Sequence, residues 1–149
     1  MTPFLWFDSG AQQAAEFYAS VIPETSWRIA VQGESAPVVV TCTIKGMEFA
    51  FLNGGPHYTK SPAFSICLRC DDQAEIDRLW EALLDGGSAL YCGWLTDKFG
   101  VTWQVTPQIF FDLYDRGTPA QHDAIMKALG DMQKLEIAPI IAAFEAAAT

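Results

Sequence analysis

One short pattern occurs twice in this chain. Lys45-Gly46-Met47-Glu48-Phe49-Ala50-Phe51 and Phe99-Gly100-Val101-Thr102-Trp103-Gln104-Val105 each read as a basic or aromatic residue, a tight glycine turn, and a strand that places an aromatic three residues beyond the glycine. Ala15-Glu16-Phe17-Tyr18 and Asp77-Arg78-Leu79-Trp80 form a second matching pair, both helical in character. Self-similarity on this scale is the mark of a supersecondary unit written twice. It constrains the fold more than any other feature of the sequence.

The elements can be laid out from periodicity and punctuation. Pro3 to Asp8 reads as a short apolar strand, and Ala11 to Ser20 as a helix with Ala14, Phe17, Tyr18 and Val21 on one stripe, stopped by Pro23. Strands at Ser26 to Gln32, Val38 to Lys45 and Met47 to Leu52 follow, the last two joined by a hairpin at Lys45-Gly46. The second copy has a strand from Ala63 to Cys70, Asp71 as helix cap, a helix from Gln73 to Leu84 carrying Ile76, Leu79, Trp80 and Leu83, and a Gly86-Gly87 stop. Strands around Ala89 to Trp94 and Val101 to Thr106 complete it.

The order is therefore β-α-β-β-β, twice, and the class α+β. A four-stranded sheet with one helix covers only one of its faces. Two such modules are expected to form an open barrel-like trough with helices outside, the whole of residues 1–149 being one domain. Module one spans about 1–53, a linker loop about 53–61, module two about 62–106 and a helical C-terminal extension about 107–149. Alternation along the last strand sends Val101, Trp103 and Val105 under the helices and Thr102, Gln104 and Thr106 toward the trough.

With 149 residues, half of them hydrophobic, the chain can bury a sufficient core without disulfides or metal. Lys and Arg number 9 against 18 Asp and Glu, a net charge of −9 that opposes phosphate backbones and anionic lipid surfaces. Nucleic acid and membrane are not expected partners. No apolar run approaches the ~20 residues of a spanning helix, and the N-terminus lacks a signal-peptide pattern, so a cytoplasmic protein is expected. Cys42, Cys67, Cys70 and Cys92 lie in apolar or strand-like runs that suit reduced, buried thiols. Cys67 and Cys70 stand three apart in a strand, hence on opposite faces, which speaks against a redox or zinc pair.

The Glu16-Phe17-Tyr18 helix, the loop Leu52-Asn53-Gly54-Gly55-Pro56-His57, and the run Cys92-Gly93-Trp94-Leu95 through Asp97-Lys98, Gly100 and Trp103-Gln104-Val105 together resemble the PhnB-like branch of the glyoxalase/bleomycin-resistance (vicinal oxygen chelate) superfamily. Proteins of this branch are often labelled demethylubiquinone methyltransferase-like. The resemblance covers nearly the whole chain. It implies a homodimer, and for the superfamily's enzymes a divalent ion held in the trough by His or Glu/Gln from the first and last strands of each module.

The residues present depart from that ligand set. The two histidines are His57, in a Gly-Pro loop, and His122, in the C-terminal extension; the first strands offer neither His nor Glu, and the last strands offer Ala50 and Gln104. A neutral amide alone makes a poor metal site, so no metal and no cofactor are expected. A nucleotide-type methyl donor would call for a glycine-rich turn between a strand and a helix. Gly54-Gly55 precedes a strand and Gly86-Gly87 follows a helix, which fits poorly.

Beyond Pro107, Thr118-Pro119-Ala120-Gln121 has a cap, a first-turn proline and a capping-box Gln, so a helix should run to about Leu129. A second begins near Leu135 and presents Ile137, Ile140, Ile141 and Phe144, either over the trough or to a second chain. The reading that results is a small-molecule binding protein whose trough is lined by Trp94, Thr102, Gln104, Thr106, Ala50 and Asn53. Two alternatives stay open: a lyase-, isomerase- or transferase-type enzyme using Gln104, Glu48 or His57, and a structural or regulatory dimer with a vestigial site.

Overall fold

The computed structural model describes residues 1–148; Thr149, the last residue of the expected extension, lies outside them. By contact density the chain divides into two compact units, Met1–Ser61 and Pro62–Thr149.

In the first unit β1 (Phe4–Phe7) leads through α1 (Ala11–Val21) into β2 (Thr25–Gln32), β3 (Pro37–Ile44) and β4 (Met47–Asn53), which form a sheet ordered β1-β4-β3-β2. β1 runs parallel to β4, and the other pairs are antiparallel. The β3–β4 hairpin closes at Lys45 and Gly46, both with positive φ (45° and 85°), the geometry of the two-residue turn whose twist suits a hairpin. One face of the sheet packs on α1. Leu5, Phe7, Val40, Cys42, Phe49 and Phe51 are buried there with Ala11, Ala14, Ala15 and Tyr18 of the helix. The small alanines let α1 lie close, so the helix buries an alanine-rich stripe; Phe17 and Val21, expected on it, are only half-buried.

The second unit repeats the plan. β5 (Ile66–Cys70), α2 (Gln73–Leu84), β6 (Ser88–Ala89), β7 (Trp94–Thr96) and β8 (Thr102–Pro107) give a sheet ordered β5-β8-β7-β6, again with a parallel pair, β5 with β8. Ile66, Leu68, Leu95, Trp103 and Val105 are buried with Ile76, Leu79, Trp80 and Leu83 of α2. The cap of α2 is Asp72, whose carboxylate accepts from the Glu75 N–H at 2.8 Å, rather than Asp71. Asp71 instead donates its backbone N–H to Glu75 Oε2, so the two aspartates complete a reciprocal cap of the capping-box kind. The strand expected from Ala89 to Trp94 is broken in two. Cys92 and Gly93 both take positive φ (59° and 79°), which no strand accommodates.

Three helices follow: α3 (Gln108–Arg116), α4 (Pro119–Gly130) and α5 (Ile137–Ala146). α4 carries the anticipated capping box, Thr118 with Gln121. α3 has no counterpart in the sequence reading. The apolar stripe of α5 goes into the chain's own core: Ile140 is fully buried with Leu113, Ile125, Leu129 and Leu135, and Ile141 and Phe144 pack against that cluster. The segment between α4 and α5 is latched to the second module. Cys92 and Gly93 donate their N–H groups to the carbonyls of Met132 and Gln133 at 2.8 and 2.7 Å, Gln73 bonds both the Leu135 carbonyl and the Ile137 N–H, and Lys134 pairs with Asp77 at 2.6 Å. No helix among the described residues is long and apolar enough to cross a membrane.

Candidate functional site

Each sheet has one face packed on its helix and one that is not, and register sorts the side chains between them. On the second sheet Cys67 pairs with Gln104 and Gln104 with Trp94, while Arg69 pairs with Thr106 and Thr96 with Thr102. Directly paired residues share a face, so Trp94, Thr96, Thr102, Gln104, Thr106, Cys67 and Arg69 all lie opposite α2. This face is polar. Gln104 Nε2 donates to Ser65 Oγ at 2.8 Å, and the Thr96 and Thr102 hydroxyls are 3.2 Å apart. Thr102 and Thr106 are buried (2% and 6% exposed), whereas Gln104 and Trp94 are half-exposed. The accessible centre of the face is thus an indole beside an amide, with hydroxyls on either side.

Sequence reasoning placed Trp94, Thr102, Gln104 and Thr106 and overlooked Ser65, Cys67 and Arg69. The alternation along β5 was the available signal. Cys67 was expected to be buried, yet it is exposed, because the residues buried in β5 are Ile66, Leu68 and Cys70, one residue out of step with it. Cys67 and Cys70 point to opposite faces as expected, and none of the four cysteines is joined in a disulfide. Arg69 lays its guanidinium 4.0 Å from the centroid of Phe111 on α3, so the extension covers the β5 end of this face.

The remaining candidates lie in the first unit. Ala50 pairs with Phe4 and Thr41 on the face away from α1 and is buried (2% exposed). Glu48 is exposed at the start of β4. Asn53 is held at both ends of its amide: Oδ1 accepts the N–H of Ala11 at 2.9 Å and Nδ2 donates to the Pro37 carbonyl at 2.9 Å. α1 has Gly10 before it and no side-chain cap of its own, so Asn53 supplies that cap from β4 and has a structural role independent of any ligand.

His57 is exposed, its ring edge-on to Trp6 with centroids 6.5 Å apart. Trp6 is the centre of that loop. Its Nε1 donates to the Gly55 carbonyl at 2.8 Å, Tyr58 meets it edge-on at 4.9 Å, and its ring occupies the space a Cβ on Gly54 would need. Lys60 Nζ reaches the Trp6 carbonyl at 2.7 Å. The Gly54–Lys60 loop is therefore wrapped on a tryptophan, which explains Gly54 without phosphate chemistry.

Burial pushes the Cys42 thiol up to about 12, and the Lys134 and Gln73 hydrogen bonds hold the exposed Asp77 below its usual carboxylate value. Neither lies on the open faces. The donor set does not fit a resident metal ion: β1 and β5 contribute no His or carboxylate, Gln104 offers only a neutral amide oxygen, and among the described residues no group of three or more His, Cys, Asp or Glu side chains could hold an ion.

Against known proteins, the sequence pattern that defines the 3-demethylubiquinone-9 3-methyltransferase family matches residues 1–106, both modules but not α3 to α5. A PhnB protein from Bacillus cereus, provisionally described as a 3-demethylubiquinone-9 3-methyltransferase, is 29% identical, with a TM-score of 0.65 over 72% of this chain and 98% of its own. A protein from Pseudomonas aeruginosa shares the fold at 22% identity, with a TM-score of 0.61 over 72% of this chain and 96% of its own. No curated protein shows significant similarity. With the duplicated module, the match over residues 1–106 and the likeness to the PhnB protein in agreement, the chain belongs to the 3-demethylubiquinone-9 3-methyltransferase family.

Proposed function

We propose that this protein binds a small, partly apolar molecule on the open face of its second sheet, without a tightly held metal ion. The observation that carries this reading is the pairing of Trp94 with Gln104 on a face that is otherwise polar. An accessible indole beside a fixed amide provides one apolar surface and one hydrogen-bonding group, the combination a small-molecule site needs for affinity and orientation. The hydroxyls of Ser65 and Thr96 extend the polar lining, and the donor set argues for recognition by hydrogen bonds and stacking over Lewis-acid chemistry.

The test is a thermal-shift screen of small cyclic carbonyl and aromatic compounds against the wild-type chain, Trp94→Ala and Gln104→Ala. A ligand bound at 100 times its Kd should stabilise the folded state by about 2.7 kcal/mol. We expect Trp94→Ala and Gln104→Ala to weaken any hit about tenfold, or about 1.4 kcal/mol. No hit for the wild type, or hits indifferent to both substitutions, would overturn the reading.

We further propose that the chain functions as a homodimer. β2 is an outer strand of its sheet and carries Ile29 and Val31 exposed (40% and 49%), with Val38 of β3 close by (39%). An edge of this kind is normally covered or paired. The apolar stripe of α5, which the sequence suggested for this role, is already occupied within the chain.

A further inference from the structure

The C-terminal helices, which lie outside the family match, form a half-open pocket of their own, with Arg116 and Glu145 exposed at its rim. It measures about 360 Å³ and is lined by Ile109, Leu113, Ile141 and Phe144, with Arg116 of α3, Gln121 of α4 and Glu145 of α5. Its volume falls within the range of small-ligand sites, and clefts between helices of a bundle are a common place for them. The two charged residues give the cavity its character. Arg116 stands with its guanidinium 5.6 Å from the Phe144 ring centroid, and among the described residues it is paired with no carboxylate, Glu145 included. One pocket therefore presents a cation, an anion and an apolar floor, with the opposite charges not in ion-pair contact.

We infer that this cavity binds a free α-amino acid with an apolar side chain. The ligand's carboxylate would pair with Arg116, whose planar fork suits a carboxylate, its ammonium with Glu145, and its side chain would rest on Ile109, Leu113, Ile141 and Phe144. A molecule that carries both charges on one carbon satisfies both residues at once; a simple anion or cation satisfies one and is repelled by the other. The site is separate from the sheet face described above and does not depend on that reading.

The experiment is an amide NMR titration of the full chain with L-leucine up to about 10 mM, a range that detects affinities near the millimolar level. N-acetyl-leucine, which lacks the ammonium, leucinamide, which lacks the carboxylate, and glycine, which lacks the apolar side chain, serve as probes of each contact. Saturable shifts confined to α3, α5 and the first turn of α4 are expected with leucine, at least about tenfold weaker binding with the two blocked forms, and none with glycine. Arg116→Gln should remove the preference for leucine over leucinamide, and Glu145→Gln the preference over N-acetyl-leucine, each in a chain whose remaining spectrum is unchanged. The inference is overturned if leucine leaves these helices unshifted, or if the blocked forms bind as well as leucine to the unaltered chain.

Discussion

Trp103 donates its indole Nε1–H to Oδ2 of Asp97 at 2.8 Å, and both residues are buried. The other carboxylate oxygen accepts the N–H groups of Phe99 and Val101 at 2.8 and 3.0 Å. One side chain therefore ties the β7–β8 turn to the largest aromatic of the core. This accounts for the spacing of Asp97, Gly100 and Trp103 in the sequence: the carboxylate holds the turn, Gly100 takes its positive φ of 78°, and the strand returns the indole to the same carboxylate.

Trp103→Ala should cost about 3–5 kcal/mol in a denaturant melt, the range for a large core aromatic. Trp103→Phe, which keeps most of the ring and leaves Asp97 a donor short, should cost about 1–3 kcal/mol. Trp94→Ala, on the open face, should cost less than Trp103→Ala. Equal losses for the two tryptophans would remove the distinction drawn between core and site.

Gly54→Ala should destabilise the first unit by about 1–3 kcal/mol, because the new methyl runs into the Trp6 ring. Pairing it with Trp6→Leu should recover part of that loss in a double-mutant cycle. Strict additivity would show that the clash is not with Trp6.

Cys67 should react with a thiol reagent at neutral pH well before Cys42 and Cys70, since it alone of the three is exposed. Cys42 has no exposed surface and its thiol is pushed up to about 12 by burial. In the unfolded chain a thiol deprotonates near the ordinary value of 9.0, so the folded state retains a proton that the unfolded state has lost. Stability contributed by the protonated Cys42 is complete below pH 9.0 and declines as pH rises from there toward about 12. Cys42→Ala should flatten that alkaline decline. An unchanged slope would contradict it.

Asp77 behaves in the opposite sense. Its carboxyl is held below 3.8, first by Lys134 and then by Gln73, so what it contributes is present above that value and is lost as pH falls through its folded pKa. An NMR titration should place the Asp77 midpoint below 3.8, and Lys134→Met should move it back up. A midpoint unaffected by the substitution would show that the latch to the C-terminal segment is not formed in solution.

Purified protein should carry no stoichiometric transition metal after dialysis. About one ion per chain would refute the metal-free reading. Light scattering at about 10 µM, where a standard-sized interface stays closed, should give twice the 16.4 kDa of the single chain. A monomer mass would refute the homodimer.

What the sequence by itself determined was whatever depends on neighbours in the chain. The duplicated β-α-β-β-β order, the Lys45-Gly46 hairpin, the sorting of Thr102, Gln104 and Thr106 from Trp103 and Val105, and the capping box at Thr118 and Gln121 follow from periods of two and 3.6 and from short-range hydrogen bonds. The tertiary structure alone decided what depends on distant partners. Asp71 and Asp72 have equal capping chemistry, and only the path of the chain into α2 selects Asp72. Asn53 is a helix cap because the β1–β4 pairing brings it to Ala11. α5 looked like a helix that must cover the trough or meet a second chain because its stripe is apolar; α3, with Gln, Asp and Arg among its aromatics, gave little warning that it would help bury that stripe. Hydrophobic periodicity states that a face must be covered, but which segment covers it is settled only when the whole chain is packed.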